Sequence, residues 1–512
     1  MPPGLIAAFP GFGRRLVPLL RHGPFLLALL GGALLRWTAT RAYPQGLWFT
    51  GDSYFYLGYA MRPEPSPSKT IGYSFLLRLL EPLHSLTAVM VVQHLMGLAV
   101  AVMLYAVLVR ARLPGWAATI VTLPVLFDAY QVELEHLLMS EALFTFLIAA
   151  GLTLLLWRSG DDRPGPPFWW LALPAGLLLG AAVLVRSAGA PLIPLILLVL
   201  LLRRRRARLF PGLLPKARPD WRPALAFGAA AAIPLAAYAM WFHSERGTYG
   251  LTTADGLYLW GRTAGFANCA KMHPPADERD LCLDAKTKAE HDPPGHLIWR
   301  ADVPPRQRLD NVVSPESNAT LRDFAIRAIL AQPRAYLSTV GHDLRLAFSP
   351  HRYPRPTAST EALYHFPDST QIFPGGRSWR RGGTVLSDAM SYGRTDEPSQ
   401  VVQPYADSMI AYQKRYHLPG PALGGVFALG LLGLAAARRR RREVLLAWGA
   451  GTTLLVFPIA SADFDYRYVV PAMPFACLAV GLALSALRAG KRDSEEAETA
   501  VQDADDLDRQ LT

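Results

Sequence analysis

Apolar residues in this chain come in uninterrupted blocks. Runs of roughly 17–25 residues are apolar on every side, the length a helix needs to cross about 30 Å of hydrocarbon. A soluble domain would carry its apolar residues as helical stripes or strand alternations instead. A membrane β-barrel would show alternating segments of about ten residues, and none is found. Apolar residues make up 51% of the 512. The pattern predicts an all-α polytopic membrane protein with about ten spans: Pro24–Thr40, Leu86–Val109, Pro114–Tyr130, Leu137–Trp157, Phe168–Val185, Ala188–Leu202, Pro223–Phe242, Pro421–Ala437, Val444–Ala460 and Val469–Leu487. Arg36 lies inside the first, near one end.

Basic residues cluster in alternate connections. They fall at Arg14, Arg15 and Arg21, at Arg110 and Arg112, at Arg158 and Arg163, at 203–208, at 438–442, and at Arg488, Lys491 and Arg492. This is the positive-inside pattern, with both termini cytoplasmic and the protein multi-pass in the plasma membrane. The net charge of +12 is then topological and faces anionic lipid, so no nucleic-acid partner is expected. The first apolar run resembles a signal peptide, but "RWTATRAY" is a poor cleavage site, and the run reads as an anchor.

Four regions follow: a membrane module over 1–242, an extracytoplasmic loop domain over 243–420, further membrane helices over 421–488, and an acidic tail over 489–512 expected to be disordered. Within the loop, "SNATLRDFAIRAILAQP" predicts a helix with Asn318 as N-cap and an interruption at Pro333. The stretch from Tyr353 to Gly393, dense in Pro, Gly and Ser, predicts irregular chain. Cys269 and Cys282 both lie in this exported loop, where oxidation favours a local disulfide.

Ionisable residues near membrane depth cost about 2.5–3.5 kcal/mol each on insertion scales, so they mark function. On one side of this membrane lie Asp52, then Glu133, Glu135, His136 and Glu141, then Arg186, then Asp463, Asp465 and Arg467. Helical spacing would put Glu133, His136 and Ser140 on one face, with Glu141 about 80° round. Such a face can bind a sugar or hold a metal; equally, Glu133 and His136 can be a satisfied interfacial pair. Tyr56 and Tyr73 can stack on a sugar or isoprenoid, or simply belong to the aromatic belt.

An acid after the first span, "MSEALFTFL" opening the fourth, "LVRSAGAPLIPLILLVLLL", and "DYRYVVPAMPF" entering the last resemble the GT-C superfamily of membrane glycosyltransferases. Within it, the protein-mannosyltransferase-like group that uses polyprenyl-phosphate sugars is the most similar. The resemblance implies transfer of a sugar from a polyprenyl-phosphate donor to an acceptor glycan, lipid or protein at the extracytoplasmic face. Asp52 would be the base, with Glu141 or Glu133 as a second carboxylate, because Ser53 stands where many relatives carry a second acid. The departing phosphate calls for fixed cations, and Arg186, Arg467 and Lys69 are the candidates. A divalent metal stays open, and no other cofactor is implied. Two other activities fit the same pattern, a ligase for lipid-linked glycans and a transporter or flippase of lipid-linked sugar; the second is disfavoured by charges at span ends and the lack of a repeat.

Overall fold

A computed structural model of the protein describes residues 12–49, 51–160, 167–202, 220–370, 382–394, 400–437 and 440–511. The predicted apolar segments are mostly helical. The first part contains α1 (Phe12–Ala42), α2 (Asp52–Met61), α3 (Gly72–Leu80), α4 (Leu86–Arg110), α5 (Gly115–Phe127), α6 (Ala129–His136), α7 (Glu141–Leu156), α8 (Trp169–Val185), α9 (Leu192–Leu201) and α10 (Arg222–Arg246). The loop domain supplies α11 (Asp255–Ala264), α12 (Pro315–Ala331), α13 (Pro333–Ala347), α14 (Val385–Gly393) and α15 (Tyr405–Arg415), with shorter turns between them. Helices α16 (Gly420–Ala436), α17 (Arg441–Ser461) and α18 (Val469–Leu511) complete the chain. No sheet forms among the described residues; one isolated bridge pairs Leu47 with Leu137.

The protein is an all-α polytopic membrane protein, but not every predicted span is a straight crossing. Among the described residues, four helices are long and apolar enough alone, namely α4, α10, α17 and the span from Tyr466 to Gly490. Two more pairs qualify only together: α5 with α6, bent by 49°, and α15 with α16, bent by 57°. Helices α7 and α8 and the segment 187–201 are shorter. Helix α8 lies against α10 through Gly176 and Gly180, where an added Cβ would come 2.3 Å from the Phe227 carbonyl and 2.5 Å from that of Ala231. Small residues at this spacing allow the close backbone approach that holds helices together in lipid.

A bend inside a membrane frees backbone carbonyls that water cannot reach. Here Arg36 of α1 fills that need. Its guanidinium donates to the carbonyls of Leu126 at 2.8 Å and Val125 at 3.1 Å, beside the α5–α6 bend. It also grips both oxygens of Glu135 at 2.7 and 2.9 Å. His94 and Gln131 approach the same carboxylate, at 3.1 and 2.8 Å. Gln93 covers the carbonyls of Glu135 and Leu137, each at 2.8 Å.

The two ends of the bundle differ in chemistry. One gathers His22 on Tyr105, Arg110 on the Trp157 carbonyl, and Ser485 on the Ala111 carbonyl. The other gathers Asp52, Lys69, Glu141, Arg186 and Arg467.

The loop domain has its own small core of Leu257, Trp260, Leu297, Leu321 and Phe324, and Cys269 and Cys282 are joined by a disulfide. Its α12 is capped by Ser314, not by Asn318. Asn318 is buried, accepting from the Gly256 N–H at 2.7 Å and donating to Asp255 at 2.8 Å. The Tyr353–Gly393 stretch is less irregular than its composition implies. It contains α14 and a helical turn at Ala358–Ala362, while 371–381 lie outside the described residues. Asp388 of α14 takes Arg62 of α2 through two bonds, at 2.8 and 2.5 Å, tying this part of the loop to the membrane module. The acidic tail, expected to be disordered, continues α18 to Leu511. After Gly490 it contains neither Gly nor Pro, so nothing in it breaks a helix, although Asp, a weak helix former, is its commonest residue.

Breaking a buried ion pair from one side leaves a bare charge and costs about 3–5 kcal/mol. Glu135→Leu is therefore expected to lower the melting temperature in detergent far more than Glu81→Leu, whose partner Arg78 is half exposed. Equal melting of the two variants would remove Arg36–Glu135 from this role.

Candidate active site

Asp52 is held by backbone geometry on both flanks. Leaving α1, the chain pairs with the segment after α6: the Leu47 N–H donates to the His136 carbonyl and the Leu138 N–H to the Leu47 carbonyl, both at 2.9 Å. Gly51 then adopts φ +88°, a left-handed turn that glycine makes without strain, and α2 starts at Asp52. The fully buried Ser53 hydroxyl accepts the Phe49 N–H at 2.7 Å and donates to the Leu138 carbonyl at 2.9 Å. The residue that stands where a second acid was considered thus clamps the Asp52 turn onto the chain leading to Glu141.

Two ionic groupings meet at this end of the bundle. Asp52 accepts from Lys69 on one oxygen and from Arg467 on the other. Arg467 Nε also lies 3.0 Å from Asp465, whose other oxygen takes the Tyr364 hydroxyl at 2.5 Å. In the second grouping, Glu141 pairs with Arg186, and Ser140 receives Arg186 at 3.2 Å and the Tyr56 hydroxyl at 3.1 Å. The Tyr468 ring joins them, 5.7 Å from the Arg186 guanidinium and 5.6 Å from that of Arg467. Three cations therefore face three carboxylates.

Burial pushes the Asp52 carboxyl up, but Lys69 and Arg467 outweigh it and hold the group well below its ordinary value. As it stands, Asp52 is a permanent anion and a weak proton acceptor. Tyr258 of α11 senses the charges of both Asp52 and Arg467, so the loop domain reaches the cluster. Tyr258, Tyr364 and the Ser53 clamp carry no local signal in the sequence, because each gains its meaning from a contact distant along the chain.

Other site candidates fall elsewhere. The helix predicted through Glu133, His136, Ser140 and Glu141 is broken at Leu137–Ser140, so Ser140 and Glu141 do not share the helical face of Glu133 and His136. His136 is spent on structure: its Nδ1 meets His94 and its Nε2 the Tyr43 carbonyl, both at 2.9 Å. Tyr73 is fully buried and bonds Gln93 at 2.6 Å. Both connect to the Arg36–Glu135 network, and the Tyr73 ring also packs edge-on against Tyr56, 5.0 Å between centroids. Glu133 is buried with neither oxygen partnered, on the side of Arg352 and Glu361. Tyr56 does reach the site, through Ser140. Among the described residues no three His, Cys, Asp or Glu side chains are grouped to hold a metal.

No family model and no curated protein matches the sequence. Similar solved structures are of the oligosaccharyltransferase from Archaeoglobus fulgidus. One is tethered to an acceptor peptide with the NVT sequon (13% identity, TM-score 0.40, covering 90% of this chain and 49% of that one). Others are the apo form (13%, 0.37, 93% and 52%) and the complex with an inhibitory peptide and a dolichol-phosphate (13%, 0.36, 93% and 51%). The chain spans about half the length of these structures, and at such TM-scores the likeness carries no weight on fold or activity.

Beside the cluster, Asp463 accepts N–H groups from Gly295 of the loop domain at 2.8 Å and from Phe464 at 2.7 Å. Burial, reinforced by Asp343, still raises its carboxyl to about 7. A native value above the unfolded one, about 3.9, means the folded protein binds the extra proton between these two values. Stability from this group is present below pH 4 and is lost as pH rises towards 7. The melting temperature of the wild type is expected to fall across that window relative to Asp463→Asn. Parallel curves for the two would refute the assignment.

Proposed function

We propose that this protein transfers a sugar from a polyprenyl-phosphate-linked donor to an acceptor at the membrane surface, with Asp52 as the base. The observation that carries this reading is Asp52 held between Lys69 and Arg467 at the bundle end remote from Arg110 and Trp157. A lipid-borne phosphate has to meet a membrane enzyme where helices leave the bilayer. A departing phosphate is best stabilised by fixed cations in a dry site, and Arg467, Lys69 and Arg186 supply three.

Cation pairing also supplies an ordering of events. With both cations on Asp52, its carboxylate is too weak a base to take a hydroxyl proton. A donor phosphate entering between Lys69 and Arg467 draws their charge towards itself and raises the basicity of Asp52. The acceptor oxygen then bonds the anomeric carbon and gives its proton to Asp52, as the bond from that carbon to the phosphate oxygen breaks and polyprenyl phosphate leaves with the electron pair. Glu141 keeps Arg186 oriented through Ser140 and Tyr56. The extracytoplasmic placement of the site follows from the arginine distribution. The resemblance of the residue pattern points to mannosyltransferase-like single-sugar transfer from a polyprenyl carrier, and whole-glycan ligation shares the same donor chemistry.

Reconstituted protein given labelled polyprenyl-phosphate sugar is expected to release polyprenyl phosphate and label an acceptor; movement of intact donor without cleavage would mark a flippase. Asp52→Asn, nearly isosteric, is expected to lose about 10²–10⁴ in rate while binding donor. Arg467→Lys should keep partial activity and Arg467→Gln very little, with kcat falling more than KM rises, because lysine offers a point charge in place of a fork. Normal turnover by well-folded Asp52→Asn, or unchanged kcat in Arg467→Gln, would sink the corresponding role.

A further inference from the structure

A pocket lies behind the turn that carries Arg467. It is partly open to solvent and sits between the α5–α6 bend, the end of α13, the start of α16 and the start of α18. None of Asp52, Lys69, Glu141, Arg186 or Arg467 lines it. Tyr466, next in sequence to Arg467, does.

Its polar wall is built around Arg352. The guanidinium sits between the rings of Tyr130 and Tyr466, 3.8 Å from each centroid. Glu361 approaches its Nε at 3.4 Å, while its Nη2 is buried without a partner. His417, on the same wall, has its Nδ1 buried without a partner as well. Asp128 is the pocket's one acid, but both its oxygens are taken by backbone, from Leu418 at 2.6 Å and Gln131 at 2.9 Å. The opposite wall is apolar and belongs to spanning helices: Leu423 of α16 and Val469, Val470 and Met473 of α18. Buried donors without acceptors are costly, and a cation flanked by two aromatic rings is held rigidly for an anion.

We propose that this pocket binds the phosphate headgroup of a lipid, with the phosphate on Arg352 and His417 and the chain along Leu423, Val470 and Met473. It is a site separate from the Asp52 cluster, and the Tyr466–Tyr468 turn forms part of both walls. This proposal does not depend on the glycosyltransferase reading, since it concerns binding alone.

The test uses the full chain in nanodiscs containing a photoactivatable phosphatidic acid or the matching phosphatidylcholine, with labelled peptides mapped by mass spectrometry. Phosphatidic acid is expected to label the peptides spanning Leu418–Leu423 and Val469–Met473 several-fold above phosphatidylcholine. Arg352→Gln should cut that labelling roughly tenfold, the loss of one charge-assisted contact, while Arg467→Gln leaves it unchanged. Equal labelling of wild type by the two lipids would overturn the proposal, and this arm needs no variant to fold. Retention of labelled inorganic phosphate without preferential labelling by phosphatidic acid would also overturn it, by making the site one for free anion rather than lipid.

Discussion

The hold of Arg36 on the α5–α6 bend underlies much of the bundle. A membrane helix that breaks must find partners for the carbonyls it releases, and no water is at hand to provide them. Arg36 reaches across from α1 to cover two of these and to neutralise Glu135, while Gln93 covers two more beyond the bend. A second break, at Leu137–Ser140, lets the chain run beside Leu47 and begin α7 at Glu141. Without that interruption, Glu141 would lie further round a continuous helix and Ser53 would have no carbonyl at Leu138 to hold.

The charged cluster is arranged as a balance, with Lys69, Arg186 and Arg467 against Asp52, Glu141 and Asp465. A balanced cluster is stable when nothing is bound and responsive when an anion arrives, because each cation can exchange one oxygen acceptor for another at little net cost. Aromatic rings make this exchange local. Tyr468 lies within 5.7 Å of both guanidinium groups and Phe49 lies 5.6 Å from that of Arg467, so aromatic rings border both cations.

Much of this was legible in the sequence, and the illegible part has a common cause. Length and all-round apolarity identified the helices, and the charges at their ends marked Asp52, Glu141, Arg186 and Arg467, because an ionisable residue beside a hydrophobic run is conspicuous. The break at Leu137–Ser140 left no trace, since "LLMS" is as apolar as a helix interior and contains neither Gly nor Pro. The partners of His136 and Tyr73, namely His94, Tyr43 and Gln93, were equally invisible, because they lie on other elements. Asn318 was misplaced as a cap because Ser314 supplies an equally good oxygen one turn earlier.

Gly97 of α4 shows how such a network constrains residues that take no part in it. A Cβ there would sit 1.9 Å from an oxygen of Glu135. Any side chain at that position, even a methyl group, would push the carboxylate off Arg36 or move one helix from the other. The requirement for a negative charge on α6 is thus written into a different helix as a missing carbon. Substitution at this glycine would act as an electrostatic lesion, although it changes no charge.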